Sequence, residues 1–583
     1  MQKLRYLLFV ALIVLIASVA VVAQDDVARE DTVIFDIDGA EGAIAAYDNF
    51  NWMTPDARRN AGLHQSISEP LFILNYETGE IMPWLAESMV SNDAADVWTL
   101  TLREGAYWSD GEAFDADDVL FTMNLLLNDE TATLNNAADS QQWIASVEAP
   151  DAYTVIFTLK SPNPRFQLDF FSVRIWGGIN MLPEHVWADK DPFTFKNYDP
   201  EQGWPLGTGP YTIVSASETE FVYDRDDNWW GAATGVFKLP EPLRLMWVVT
   251  GNDQIRATLA ANNELDSIMD ITLGAFEALQ AENPNIIAWF DGMPFVWLDP
   301  CARNLSLNTT VAPWDNPAMR QMLNFATDRN EVVEIAYEGV TIPSRTMFPE
   351  YGGMFPYIDA MEEAGVTYSA SADLDAATAI LEAEGYAMND DGYWEKDGEV
   401  LSLSIEAHEG FIEKRRIQAD LVEQYQRFGI DATASIVAGA TWEDNKRMGN
   451  FEATTDWDAC GSINEPWASM DRYTNHWWRP IGETGPNNNF GRWSGEANDA
   501  YSALIEQVGV LPLGDPAIVD LVVEAQSIFY AEMPVIPLNQ ATKLIPFNTT
   551  YWTGWPTAEN NYNHPATWWQ TVHHFLQHLE KVQ

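Results

Sequence analysis

The stretch LREGAYWSDGEAFDADDVLFT, Leu102–Thr122, compresses a strand end, a tight turn and a capped helix into 21 residues. The alternation leading into it (Val97, Trp98, Thr99, Leu100, Thr101, Leu102) suits a half-buried strand. Ser109-Asp110-Gly111 supplies turn chemistry, with Gly111 free to take a positive φ. Asp115 then stands where an N-cap belongs, and Asp117 and Asp118 place negative charge at the positive end of a helix dipole. Val119, Leu120, Phe121, Met123 and Leu125–Leu127 continue as an apolar helix. Such a unit fits any α/β protein.

The rest of the chain bounds the class. At 583 residues it exceeds what one core supports, so two or three domains are expected. Lys3 and Arg5, an apolar run from Leu7 to Ala23 and the polar Gln24-Asp25-Asp26 predict a secretory signal peptide cleaved after Ala23. An uncleaved anchor is the competing reading, since 17 apolar residues reach the lower edge of spanning length. No Cys follows the run, which excludes a lipoprotein cysteine. Loss of Lys3 and Arg5 takes the formal charge from −56 to −58, which disfavours nucleic acid and anionic lipid as partners. Cys301 and Cys460 are the only cysteines; in an exported protein an even count invites a disulfide, with two buried thiols as the alternative.

Elements alternate along the chain. Thr32–Ile37 reads as a strand, followed by a polar-aromatic loop through Asn51 and Trp52. Tyr76–Glu87 reads as a hairpin feeding a short helix. Gly207–Tyr211 is a turn before a strand, and a second strand ends at Asn228–Gly231. Leu243–Val249 and Leu265–Met269 read as strands around a helix, Asn252–Asn262. Past Asn304, Met319, Met322, Leu323 and Ala326 mark an amphipathic helix, and Leu374–Glu384 another that stops at Gly385. Leu401–Ile405, Ile412–Phe428 and Ile430–Val437 form a βαβ unit, extended by helix Thr441–Met448 and strand Phe451–Thr455. A last helix is expected over Trp568–Val582.

The opening block resembles the signature of the family 5 extracellular solute-binding proteins. Further blocks resemble the same family in its order: SEPLF (Ser68–Phe72), PWLAES (Pro83–Ser88), GTGPY (Gly207–Tyr211), NWWG (Asn228–Gly231) and PAMRQMLNFATDRNEV (Pro317–Val332). The resemblance implies an α/β, two-lobed periplasmic-binding-protein (Venus-flytrap) fold with an extra insert domain, its mixed sheets flanked by helices. It divides the chain into a discontinuous domain I (24–66, 202–300 and 548–583), an insert domain II (67–201) and a second lobe, domain III (301–547). It also implies a monomeric, exported binding component of an ABC importer that closes on its ligand and delivers it to the permease subunits. No catalysis, cofactor or metal is implied, and a Cys301–Cys460 bridge is.

The ligand is read from departures and from tryptophan. Peptide-binding members resemble Cys-x-Asp where this chain has Cys460-Gly461-Ser462, and a serine cannot give a peptide ammonium a charge-assisted bond. Asp458 is the alternative partner. Trp457, Trp467, Trp477, Trp478 and Trp493 crowd one stretch near Asn475 and Asn487–Asn489, offering flat faces for pyranose rings, although any one of them can equally be core filler. The string Asn548–Tyr562 resembles the oligosaccharide-binding branch. The expected ligand is therefore a β-linked gluco- or manno-oligosaccharide, with an oligopeptide as the alternative and a secreted glycoside hydrolase as a less favoured third reading. Contact candidates are Asn51 and Trp52 from the first lobe and Trp457, Asp458, Trp467, Trp477 and Trp478 from the second. His573, His574 and His578 read as a solvated helix face rather than a zinc site, and Asn389–Gly392 with Asp397-Gly398 as a hairpin rather than a calcium loop. No G-x-S-x-G, H-E-x-x-H or P-loop occurs.

Overall fold

The computed structural model describes residues 27–37, 44, 46–54, 59–175, 177–458, 460, 462–485 and 488–583; the expected signal peptide lies outside them. The first lobe is built on a four-stranded sheet in the order Thr32–Ile37, Arg244–Val249, Glu220–Arg225, Tyr211–Ala216. The first pair is parallel and the others antiparallel. Its buried face carries Phe35, Phe221, Tyr223, Leu245 and Trp247, with Phe35 stacked on Trp247 at 4.7 Å. Leu265–Met269, expected as a strand, contributes only bridges through Ser267, to Phe35 and Phe547.

The opening block folds as its residues dictate. Val97–Leu102 is a strand with Trp98, Leu100 and Leu102 buried, in an antiparallel sheet of order Ala86–Ser91, Val97–Leu102, Thr154–Leu159, Ile144–Asp151. The helix Ala116–Leu127 begins at Asp115, whose carboxylate accepts from Asp117 N while Asp118 reaches back to the Asp115 N–H. PWLAES does not form the expected helix. Ala86–Ser91 is a strand, because pairing with Val97–Leu102 satisfies its backbone and turns Ala86 and Met89 inward.

The second lobe holds the βαβ unit in a five-stranded sheet ordered Asp431–Val437, Ser402–His408, Ala453–Asp458, Trp297–Leu307, Val535–Lys543. The last two strands run antiparallel, from Trp297 opposite Lys543 to Ser306 opposite Val535, and carry the chain between lobes. Cys301, on the first of them, is disulfide-bonded to Cys460. The helices Phe355–Glu363, Trp467–Asp471, Glu496–Val510 and Ala517–Glu532 belong to this half of the sequence, yet their buried side chains join a core continuous with the first lobe and the insert sheet. The lobes are in contact.

At the C-terminus the helix covers only Val572–His578. Trp568 and Trp569 turn into an aromatic cluster instead, and Glu580-Lys581 pairs with Trp552-Thr553. Its histidine face is solvated only in part: His573 is buried and its Nε2 meets the Ser68 carbonyl, His574 is half-buried on Trp84, and His578 is exposed and stacks on Tyr562 at 3.9 Å. Among the described residues no helix is long and apolar enough to cross a membrane.

Candidate ligand-binding cleft

Most of the recognised sequence blocks meet at one node where the insert packs on the first lobe. Glu69 of SEPLF is buried and accepts Trp84 Nε1–H of PWLAES at 2.9 Å and Trp230 Nε1–H of NWWG at 2.7 Å. Burial dominates over these bonds and pushes the Glu69 carboxyl up to about 8. Trp229 Nε1–H donates to the Thr208 carbonyl of GTGPY, and Ser109 N–H of the opening block to the Gly207 carbonyl. A Cβ on Gly207 would lie 2.2 Å from Ile67 O, and one on Gly209 would lie 2.1 Å from Ser66 O. Those glycines permit a backbone-to-backbone approach.

The surface between the lobes is different in kind. Tyr76, within the Asn75–Glu80 turn, meets Trp297 at the start of the crossing strand, Tyr351 of the second lobe and His564 of the C-terminal segment, and Trp297 in turn meets Trp569. Ring centroids lie 6.4 Å apart for Tyr76–Trp297, 6.0 Å for Tyr76–Tyr351, 5.4 Å for Trp297–Trp569 and 4.9 Å for His564–Trp569. Tyr76 Oη–H bonds Asn561, and Tyr351 Oη–H bonds the Leu298 carbonyl. Burial pushes the His564 imidazole down to about 3, so it is neutral at ordinary pH. This aromatic wall abuts the loop after Cys460. A Cβ on Gly79 would lie 3.4 Å from Asn464 Cβ, and one on Gly353 only 2.7 Å from Asn464 Cα. Ser462 Oγ, Asn464 Oδ1, Glu465 Oε1, Ser469 Oγ and Tyr473 Oη are all buried atoms with no hydrogen-bond partner. Five such atoms within twelve residues are far above the few per hundred of an ordinary interior.

The expected contact residues are distributed over several settings. Asn51 is buried in a turn, donating to the Pro192 carbonyl and accepting from Met53 N–H, and Trp52 lies beside it against Asn135. Both face the insert domain. Trp457 is half-buried over Lys414, whose Nζ is 3.3 Å from the ring centroid. Lys414 and Lys446 each hold Asp456 at 2.9 Å; burial works against ionisation there, but the two ammonium groups hold the Asp456 carboxyl well below its usual range. Trp467 lies under Arg165 and donates to Ile505 O, Trp477 donates to Asp471, and Trp478 is exposed. The Asp458 side chain lies outside the described residues, as do Gly461 and Asn487. Trp493, Trp552 and Trp555 are core, with Trp552 Nε1–H on Thr32 O and Trp555 stacked on Phe547 at 4.5 Å. The wall residues Tyr76, Trp297, Tyr351 and His564 were not singled out in the sequence; Trp297, next to the apolar run that becomes the crossing strand, carried the available signal.

The family model for bacterial extracellular solute-binding proteins, family 5, matches residues 80–479. The chain belongs to that family. Among curated relatives, the glutathione-binding protein GsiB of Escherichia coli O1:K1 is 29% identical over 316 residues, 53% of this chain and 56% of GsiB. The chain thus matches about half the length of such relatives. Solved structures share the fold. A Thermotoga maritima periplasmic oligopeptide-binding protein with mannohexaose bound is 23% identical with a TM-score of 0.78, covering 95% of this chain and 99% of that one. Bacillus subtilis AppA with a nonapeptide is 15% identical with a TM-score of 0.70, covering 95% and 99%. The two-lobed periplasmic-binding-protein architecture is therefore the fold of this family 5 chain.

Proposed function

We propose that this protein is the exported substrate-binding component of an ABC importer, and that it captures an oligosaccharide between its lobes. The observation that carries the reading is the pairing of an aromatic wall (Tyr76, Trp297, Tyr351, Trp569) with unpartnered hydroxyl, amide and carboxylate oxygens on Ser462, Asn464 and Glu465. Rings bind the C–H faces of pyranoses, and short polar groups bind their hydroxyls. Trp457, Asp458, Trp467, Trp477 and Trp478 extend the contact set along the second lobe, while Asn51 and Trp52 are taken up by the insert domain. Ligand bridging both lobes shifts an open–closed equilibrium, and the closed form engages permease subunits. The chemistry is capture, not turnover.

A peptide ligand is the second reading, supported by the GsiB relative and by the nonapeptide bound to AppA. A thermal-shift screen of cello-, manno- and xylo-oligosaccharides beside di- to pentapeptides and glutathione separates the two, since a ligand bound only to the native state raises its melting point. The expected outcome is a shift with oligosaccharides alone. A shift with peptides alone refutes the oligosaccharide reading, and release of reducing sugar would return the hydrolase.

A further inference from the structure

Arg165 sits in the insert domain, on the loop after the strand Thr154–Leu159, and its own N–H is held by Asn163 Oδ1 at 2.9 Å. Its side chain leaves that domain altogether. Nη1 donates to the carbonyls of Val508 at 3.1 Å, Gly509 at 2.9 Å and Leu511 at 3.1 Å, the C-terminal end of the helix Glu496–Val510. Nε donates to Glu465 Oε2 at 3.2 Å, and the guanidinium lies 5.5 Å from the centroid of the Trp467 ring. Arg165 is 1% exposed and Glu465 3%. Gly509 makes the fit possible, because a Cβ there would come within 2.8 Å of Trp467 Nε1. One arginine thus satisfies carbonyls that a helix end leaves without intrahelical partners, complements the negative end of its dipole, and neutralises a buried carboxylate.

All of these partners are in the second lobe, while Arg165 is anchored to the first through the insert domain. The insert moves with the first lobe: Glu69 ties Trp84 to Trp230, Asn135 donates to Trp52 O, and Ser109 N–H donates to Gly207 O. We propose that Arg165 is a closed-state latch, a positioning residue that forms its clasp only once the lobes meet and thereby sets how long the protein stays shut. Separation of the lobes must break four hydrogen bonds at one side chain, one of them an ion pair. Removing Arg165 takes the guanidinium donor from the buried Glu465 carboxyl and from three helix-end carbonyls in the closed form only, because in the open form water solvates both. The latch therefore acts on the opening rate. It rests on lobe closure as read above and is indifferent to the ligand's chemistry.

The test is single-molecule energy transfer on the full mature chain, labelled at Val90→Cys on the insert sheet and Ile436→Cys on the second lobe, positions 63% and 60% exposed. Without added ligand, Arg165→Ala is expected to shorten the closed-state dwell time at least tenfold and leave the open-state dwell time within about twofold. Glu465→Gln, which keeps the shape and removes the charge, is expected to shorten it less, and Arg165→Lys to restore part of it. An unchanged closed dwell time in Arg165→Ala overturns the latch, including the case where the variant only melts earlier. Should Arg165→Ala fail to fold, an unchanged dwell time in Glu465→Gln overturns it equally. A labelled wild type showing one state throughout overturns it as well, whatever ligand the screen identifies.

Discussion

The Glu69–Trp84–Trp230 node and the stretch Trp457–Trp478 are both rich in tryptophan, and they use it in opposite ways. In the node every indole N–H that the family blocks supply finds a protein acceptor: Trp84 and Trp230 on Glu69, Trp229 on Thr208 O. In the second stretch Trp467 and Trp477 bond within their own lobe, while Ser462, Asn464, Glu465, Ser469 and Tyr473 keep buried oxygens without partners. A saturated network fixes residue identity through folding. An unsaturated one leaves polar capacity for something else to use. The blocks that reveal the family therefore say little about its ligand.

The contrast predicts large stability effects on one side and small ones on the other. The largest belongs to the disulfide that ties the strand Trp297–Leu307 to the tryptophan-rich stretch. Replacing Cys301 and Cys460 together by Ser removes a crosslink of sequence separation 159, and chain entropy puts the loss at about 4–5 kcal/mol, read as a lower urea midpoint than the oxidised parent. Next is Gly209→Ala. Its Cβ would be 2.1 Å from Ser66 O, so the GTGPY turn must move off the backbone beneath it, at a cost of roughly 3 kcal/mol. A Gly209→Ala protein as stable as the parent would break the claim that the node is architectural.

A third prediction concerns pH. Glu69 is raised from 4.5 to about 8, so the folded form holds its proton more tightly than the unfolded chain. Its contribution is then complete below about pH 4.5 and is lost as pH rises through about 8. The melting-point advantage of the parent over Glu69→Gln should be greatest near pH 5 and shrink by a few degrees by pH 8. A gap that widens with pH would show that the indole donors, rather than burial, govern this carboxyl.

Local patterns were legible where one short-range rule sufficed. Asp115 announces its helix because capping acts within four residues, and Ile412–Phe428 begins and ends where apolar spacing and Gly429 place it. Failures came where distant partners decide. Pro83–Ser88 has helix-compatible residues but a neighbouring strand to pair with, and Trp569 leaves the expected helix to pack on Trp297, far earlier in the chain. The candidate site was less legible still. Tyr76, Trp297, Tyr351 and Trp569 become neighbours only through the crossing strands, so no window of sequence contains them.

The smallest effect tests the outer limit of the cleft. Trp478 is 37% exposed, so Trp478→Ala should leave stability within about 0.5 kcal/mol of the parent. On the oligosaccharide reading its exposed ring is an outer contact, within reach of a long ligand only. Binding of a disaccharide should be unchanged, while binding of a hexasaccharide such as mannohexaose should weaken about threefold, near 0.7 kcal/mol. Titration by calorimetry reads both. Equal weakening of short and long sugars would place Trp478 beside the innermost ring and shift the binding surface away from Tyr76 and Tyr351. No change for either would confine the ligand to the wall itself, and the tryptophan-rich stretch would then serve the second lobe's packing and the grip of Trp467 on Arg165 rather than the sugar.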